Sequence, residues 1–429
     1  MEQTWQTDIL GKPFKKLTMD LGKDDEGPLS ATLVRSLPKG DQGPHGRVKD
    51  SVKELPLHDV DVLYVHGWSD YFFQTDLAFY WNQLGARFYA LDLRKYGRSL
   101  RRGQTPGYID DLRKYDLDIN TAISHMHTKD QKRRLVLFGH STGGLTLTLW
   151  ASRHPGAASA LILNSPWLEF QTGRQGRHAL MPFIHMHASR HPKDIYPETD
   201  LGYYTKAQKM VGSLPEHAGP QSWRPSRGFA TRPGWLHAVM EGQESLTHDV
   251  NIGTPSLVLL SAKNTQPFGW TDNMKNSDSV LVVDDIARVA AHIFPEVTIA
   301  RLQGALHDVF LSAPNVRARA YEMLGSWLLG GALAPAKKLP PPPPLPKDLK
   351  AERDAKKAEK KLRKLAKKGK SVDGQPVKEP GAASANADEG GSTLSSEEKT
   401  EVAPAETGAT QVKAAEASEE SEAAEASEN

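Results

Sequence analysis

Ser141 sits between glycines in LVLFGHSTGG, residues 135–144, where an apolar run stops abruptly at Gly139-His140-Ser141-Thr142-Gly143. A serine hydroxyl becomes a useful nucleophile only when a base takes its proton. The pattern G-x-S-x-G is weak by itself, since with glycine near 7% of average sequence it arises by chance in about one chain in seven of this length. Its setting is more specific, a buried strand passing straight into a helix. A nucleophile at such a turn needs small neighbours, here Gly139 and Gly143, because a side chain would meet the adjoining strand or helix. The new helix also points its free N–H groups at whatever is attacked there.

Of sixteen histidines, His307 follows the last strand, in ARLQGALHD just after Gly304, and is the expected base. Chain order Ser, Asp, His puts the orienting acid after the preceding strand. No carboxylate stands at the near end of AKNTQPFGWTDNMKNSDSVLVVDD, and Asp272, Asp278, Asp284 and Asp285 compete. The last two suit the negative first turn of the next helix. Asp278, just before SVLVV, is favoured, with Asp272 next. An oxyanion needs two preorganised N–H donors. Thr142 supplies one, and Trp68 the other, in LYVHGW, where Gly67 lets the backbone approach and His66 reads as a buried brace.

Other residues invite chemistry less strongly. His185, His187 and His191 crowd together in FIHMHASRHP, but without a Glu between helical partners or any cysteine they read as surface, and no metal is expected. Tyr71 and Phe72 are candidates to line an acyl pocket. Trp167, Phe170, Phe183, Tyr203, Tyr204 and Trp235 could do so too, or form the core of their own segment.

The elements that must hold these residues alternate. FKKLTMDL and LSATLVRSL suggest an antiparallel hairpin at a sheet edge. DVDVLYVHG, RFYALDL, RRLVLFGH, ASALILNSP, TPSLVLLS and VTIARLQG then read as strands separated by helical patterns, which means crossovers and a parallel sheet. Apolar runs without polar alternation fit strands buried on both faces. The fold class is therefore α/β, a doubly wound, mostly parallel sheet. From Trp167 to about Gly253 the alternation fails, and a stretch of that length is too long for a simple loop. It reads as a cap. The expected organisation is core at 1–166 and 254–336, cap at 167–253, and a disordered tail at 337–429.

The overall charge of +2 conceals a dipolar tail. After KKLPPPPPLPK, residues 337–370 carry fourteen Lys and Arg against four acids, and 371–429 carry fourteen acids against three lysines. The remaining body is nearly neutral, which implies no nucleic-acid footprint. The basic run could touch anionic surfaces or acidic partners weakly. With no cysteine, neither a disulfide scaffold nor a zinc–thiolate site is possible. No basic-then-apolar leader and no run of 18 apolar residues is present, so a soluble, cytoplasmic protein without a transmembrane segment is expected.

HGW, LDLRKYGRS, LFGHSTGG, DSVLVV and GALHD, in that order, resemble the α/β-hydrolase superfamily. The likeness is to its serine aminopeptidase-like and monoacylglycerol lipase-like (lysophospholipase-like) branch, over roughly residues 30–330. It implies a Ser141, Asp278, His307 triad and an oxyanion donor after His-Gly. It also implies a cofactor-free serine hydrolase that cleaves carboxylic esters, often lipid-like or otherwise apolar, while peptidase activity is not implied for each member. Two departures stand out: the acid is set back from its strand, and Val283 replaces a proline of the branch's pattern. Other readings are an aminopeptidase or amidase, a haloperoxidase-like use of the triad, and a non-catalytic scaffold. A nucleotide-binding sheet finds no support, because no G-x-G-x-x-G or Walker pattern follows an early strand.

Overall fold

The computed structural model describes residues 4–39, 41, 54–126, 133–197, 200–215, 219–248, 250 and 252–333. The chain divides after Pro341, and the second stretch, Pro342–Asn429, lies wholly outside these residues. The expectations for the tail at 337–429 therefore concern residues outside the described ones.

Nine strands form one sheet among the described residues, in the order β1-β2-β3-β5-β4-β6-β7-β8-β9. β1 (Gln6–Thr7), β2 (Lys15–Asp24) and β3 (Gly27–Ser36) are antiparallel, and β3 joins β5 (Arg87–Asp92) antiparallel as well. β4 (Val60–Val65), β6 (Arg134–His140), β7 (Ala160–Asn164), β8 (Ser256–Ser261) and β9 (Val297–Leu302) extend it in parallel. The sheet is the doubly wound, mostly parallel α/β architecture that the alternation predicts.

Period-two geometry explains why the central strands are apolar throughout. Leu63, Val65, Leu137, Leu163 and Val258 face one apolar cluster, while Val62, Tyr64, Phe138, Ile162 and Leu257 face the other. The first cluster takes in α2 (Tyr115–Met126), α3 (Thr142–Arg153) and α7 (Val283–Ile293). The second takes in α1 (Thr75–Gln83) and α8 (Pro314–Trp327). β9, at the edge, alternates buried and exposed residues instead. Phe72 belongs to the second cluster and is fully buried there, in contact with Tyr64 and Phe88. It is core, and the expectation that it lines an acyl pocket does not hold.

Between β7 and β8 the chain is helical: α4 (Gly173–Arg190), α5 (Tyr203–Met210) and α6 (Pro233–Ser245). α6 sits close to the core because it carries glycine where it meets it. A Cβ at Gly242 would stand 2.8 Å from Leu112 Cδ1, and one at Gly234 2.6 Å from the Tyr108 hydroxyl. α4 packs on α6, with Arg177 shared between Glu169 and Glu244 and His185 Nδ1 2.9 Å from His237 Nε2. The β2–β3 turn clamps the same segment. Glu26 accepts from Lys193 (2.8 Å), Lys95 (2.7 Å) and the Thr105 hydroxyl (2.6 Å), and Asp25 also pairs with Lys193. No helix among the described residues is long and apolar enough to cross a membrane.

Candidate active site

Ser141 occupies the single residue between β6 and α3, with φ +52° and ψ −117°. A side-chain-bearing residue in that region costs about 1–3 kcal/mol and persists only where its surroundings hold it. Here Ser141 N donates to Asn164 O (3.0 Å), and Ser141 O accepts from Leu145 N (3.1 Å) and Trp167 N (3.0 Å). Three glycines make room. A Cβ on Gly139 would stand 2.6 Å from Gly144 Cα, one on Gly143 would overlap the Val65 and His66 carbonyls, and one on Gly67 would press on Ser141 Cβ at 3.0 Å. The turn is possible because these positions have no side chain.

The acid comes near by a route the sequence does not display. After β8 the chain leaves on an excursion and returns, so that Asp278 pairs beside Asn264 as a single parallel bridge. Asp278 N donates to Lys263 O (3.0 Å), Thr265 N donates to Asp278 O (2.7 Å), and the Thr265 and Ser277 hydroxyls meet at 2.7 Å. The carboxylate is fully buried. Its Oδ1 accepts from Val280 N (2.7 Å) and Leu281 N (2.9 Å), and its Oδ2 accepts from His307 Nδ1 (2.9 Å). Asp272 lies elsewhere, 76% exposed and paired with Lys275. Asp284 and Asp285 open α7 and pair with Arg301 and Arg288.

His307 follows β9 through a turn at Gly304, whose φ is +77°. Because an ionised carboxylate only accepts, the bond to Asp278 puts the proton on Nδ1 and leaves the Nε2 lone pair available. Among the described residues no hydrogen bond joins Ser141 Oγ to that ring; such bonds often form only with substrate in place. The Gly67–Trp68 loop stands against Ser141. His66 braces it, Nδ1 donating to Gly67 O (2.8 Å) and Nε2 accepting from Leu93 N (3.2 Å), and burial lowers its pKa, keeping it neutral. Thr142 begins α3, so its N–H has no partner within the helix.

A buried polar network behind His307 was not anticipated. Asp308 accepts from Asn164 Nδ2 (2.7 Å), Gln74 Nε2 (2.8 Å) and Phe310 N (2.9 Å), and His140 Nε2 stands 4.0 Å away. Burial lowers the His140 pKa, and its Nδ1 lies 3.1 Å from Asn164 O. The segment between β7 and β8 reaches the same loop through Tyr204, whose hydroxyl accepts from Asp308 N (3.1 Å) and whose ring meets His307 edge-on. Arg224 donates to Asp70 Oδ1 (3.0 Å), two residues beyond Trp68; burial raises the Asp70 pKa against that pull. The available signal was a lone acid in the apolar stretch ALHDVFL.

The expected aromatics separate. Trp235 lies on Trp68 with ring centroids 3.6 Å apart, and Trp167 stands 5.9 Å from Trp235 and stacks on Phe170. Tyr203 instead meets Trp270, and Phe183 is exposed. Tyr71 packs on Trp223. His187 and His191 lie against Asp194, while His185 meets His237.

Residues 58–265 match the family described as serine aminopeptidase, S33. A soluble variant of monoglyceride lipase from Saccharomyces cerevisiae, solved with a substrate analogue, is 13% identical and superposes with a TM-score of 0.50, covering 76% of this chain and 94% of that one. A lipase in its open form is 15% identical with a TM-score of 0.50, covering 74% and 99%. No curated protein matches the chain. The chain has the α/β-hydrolase fold. In an α/β-hydrolase the ends of the parallel strands carry the reacting groups. In this chain the candidate residues stand at those ends: Ser141 follows β6, Asp278 pairs beside the extension of β8, and His307 follows β9.

Proposed function

We propose that this α/β-hydrolase is a serine esterase acting on carboxylic esters with an apolar acyl group. The observation that carries the reading is the buried Asp278–His307 hydrogen bond at 2.9 Å, formed at the same end of the parallel strands as a strained Ser141. His307 Nε2 takes the Ser141 proton as Oγ attacks the acyl carbon. The carbonyl electrons move to oxygen, and the Thr142 and Trp68 amides receive that charge. As the tetrahedral intermediate collapses, the ester C–O bond breaks and Nε2–H protonates the departing alcohol. Water then attacks the acyl-enzyme, giving its proton to Nε2, and Ser141 leaves with that proton while the acid departs. Every step uses residues of this chain, and no cofactor or metal is required by it. The core segments 1–166 and 254–336 carry the triad, and the cap at 167–253 covers it.

A fluorophosphonate probe tests the nucleophile. Wild-type protein should be labelled and Ser141→Ala should not; equal labelling of both would remove Ser141 from the mechanism.

A further inference from the structure

One short helix, α5, reaches three parts of the candidate site. Residues three or four apart share a face of a helix, so Tyr204 and Gln208 lie together, and Tyr203 and Lys206 lie together beside them. On the first face the Tyr204 hydroxyl accepts from Asp308 N (3.1 Å), and its ring stands 5.5 Å from the His307 imidazole with the planes at 81°. Gln208, fully buried, accepts from Arg224 (2.7 Å), which also donates to Asp70 in the loop of Trp68. On the second face Tyr203 meets the Trp270 ring at 6.0 Å, and the Lys206 ammonium lies 4.0 Å from that ring's centre. Trp270 belongs to the excursion that returns at Asp278. The base's loop, the acid's excursion and the Trp68 loop are thus tied to the same eight residues.

This matters most for His307. Its ring is bonded to Asp278 through Nδ1. A ring held at one nitrogen can pivot about that bond, and the pivot displaces Nε2, the atom that carries the reacting proton. Tyr204 limits the pivot twice, by the ring set against the imidazole and by the hydroxyl that ties the next peptide N–H. Burial pushes the phenol well above its usual pKa, so the oxygen stays a neutral acceptor. The Asp308 side chain is anchored separately by Asn164 and Gln74, so the loop is gripped through both its main chain and its side chain.

We propose that Tyr204 is a positioning residue for the base: it sets where His307 Nε2 stands, and so governs delivery of the proton to the departing alcohol. The inference rests on the serine-esterase reading. An alkoxide must be protonated as it leaves, whereas nitrophenolate leaves as the anion, and a well-placed general acid contributes about 10²–10⁴-fold. Tyr204→Phe keeps the ring and removes the acceptor. On ethyl butanoate its kcat/KM should fall at least about tenfold, in kcat rather than KM, and the nitrophenyl-to-ethyl butanoate ratio should rise at least about fivefold over wild type. Trp270→Leu, which loosens the other attachment of α5, should move the ratio the same way and serves if Tyr204→Phe fails to fold, as melting curves will show. An unchanged ratio in the folded Tyr204 variant, with wild type still labelled by fluorophosphonate, overturns the positioning role and leaves the esterase reading standing. A loss confined to KM overturns it too. Absence of both labelling and ester turnover in wild type overturns both proposals.

Discussion

At the scale of single residues, the acid is where chemistry and sequence pull apart. Asp278 is buried with its two oxygens occupied by Val280 N, Leu281 N and His307, whereas Asp272 is a surface residue beside Lys275. Asp278→Asn should thus lose about 10⁴ in kcat, the cost of a misoriented histidine elsewhere, while Asp272→Asn changes kcat less than about twofold. Nitrophenyl acetate turnover by the two variants decides it, and the reverse ranking would remove Asp278. The positions of Ser141 and His307 could be read from the chain because each comes within a few residues of a strand's end, where strand, turn and glycine signals coincide. Asp278 could not be separated from its competitors by spacing, since its place depends on an excursion closing on itself. Asp308, Tyr204 and Arg224 were unreadable for a stronger reason. Their partners lie tens to hundreds of residues away, as with Asp308 and Gln74, and no local pattern encodes that meeting.

At the scale of elements, the sheet was legible because buried parallel strands are uniformly apolar and the helices between them are amphipathic. The segment between β7 and β8 gave no such signal, since α4 buries only Arg177 and meets α6 through ionic contacts, while α6 alone lays an apolar face with Ala238 and Val239 on the core. The β2–β3 turn shows the consequence. Burial would raise the Glu26 carboxyl, but hydrogen bonds from Lys193, Lys95 and Thr105 prevail and hold its pKa at about 2, below the ordinary 4.5. A carboxylate depressed by folding contributes stability that is whole above its unfolded pKa and lost as pH falls toward its folded one. The clamp should therefore weaken between about pH 4.5 and 2. Glu26→Gln should lower the melting temperature at pH 7 by about 2 °C, the size of a partly exposed ion pair, and should flatten the decline in acid. Melting curves of both proteins from pH 7 to 2.5 check this; parallel declines would mean that the turn does not clamp the cap.

At the scale of the whole chain, the described residues end at Leu333, and every residue given a part in the reaction precedes it. Residues 337–429, which lie outside the described residues, contain no aromatic side chain. A protein cut after Ala336 should keep its melting temperature within about 2 °C and its small-ester turnover; unfolding or loss of turnover on truncation would move that boundary. Within the body, the excursion between Asn264 and Asp278 begins and ends side by side, tied by the Thr265 and Ser277 hydroxyls, with Phe268 projecting from it, 92% exposed. Because both stems are anchored together, the intervening residues behave as a cassette. Lengthening or shortening it adds or removes chain without translating the carboxylate, at a closure cost that grows only as the logarithm of its length. In chains built this way the interval from strand to acid is free to drift as sequences diverge, while the bridge beside the strand stays where the histidine requires it.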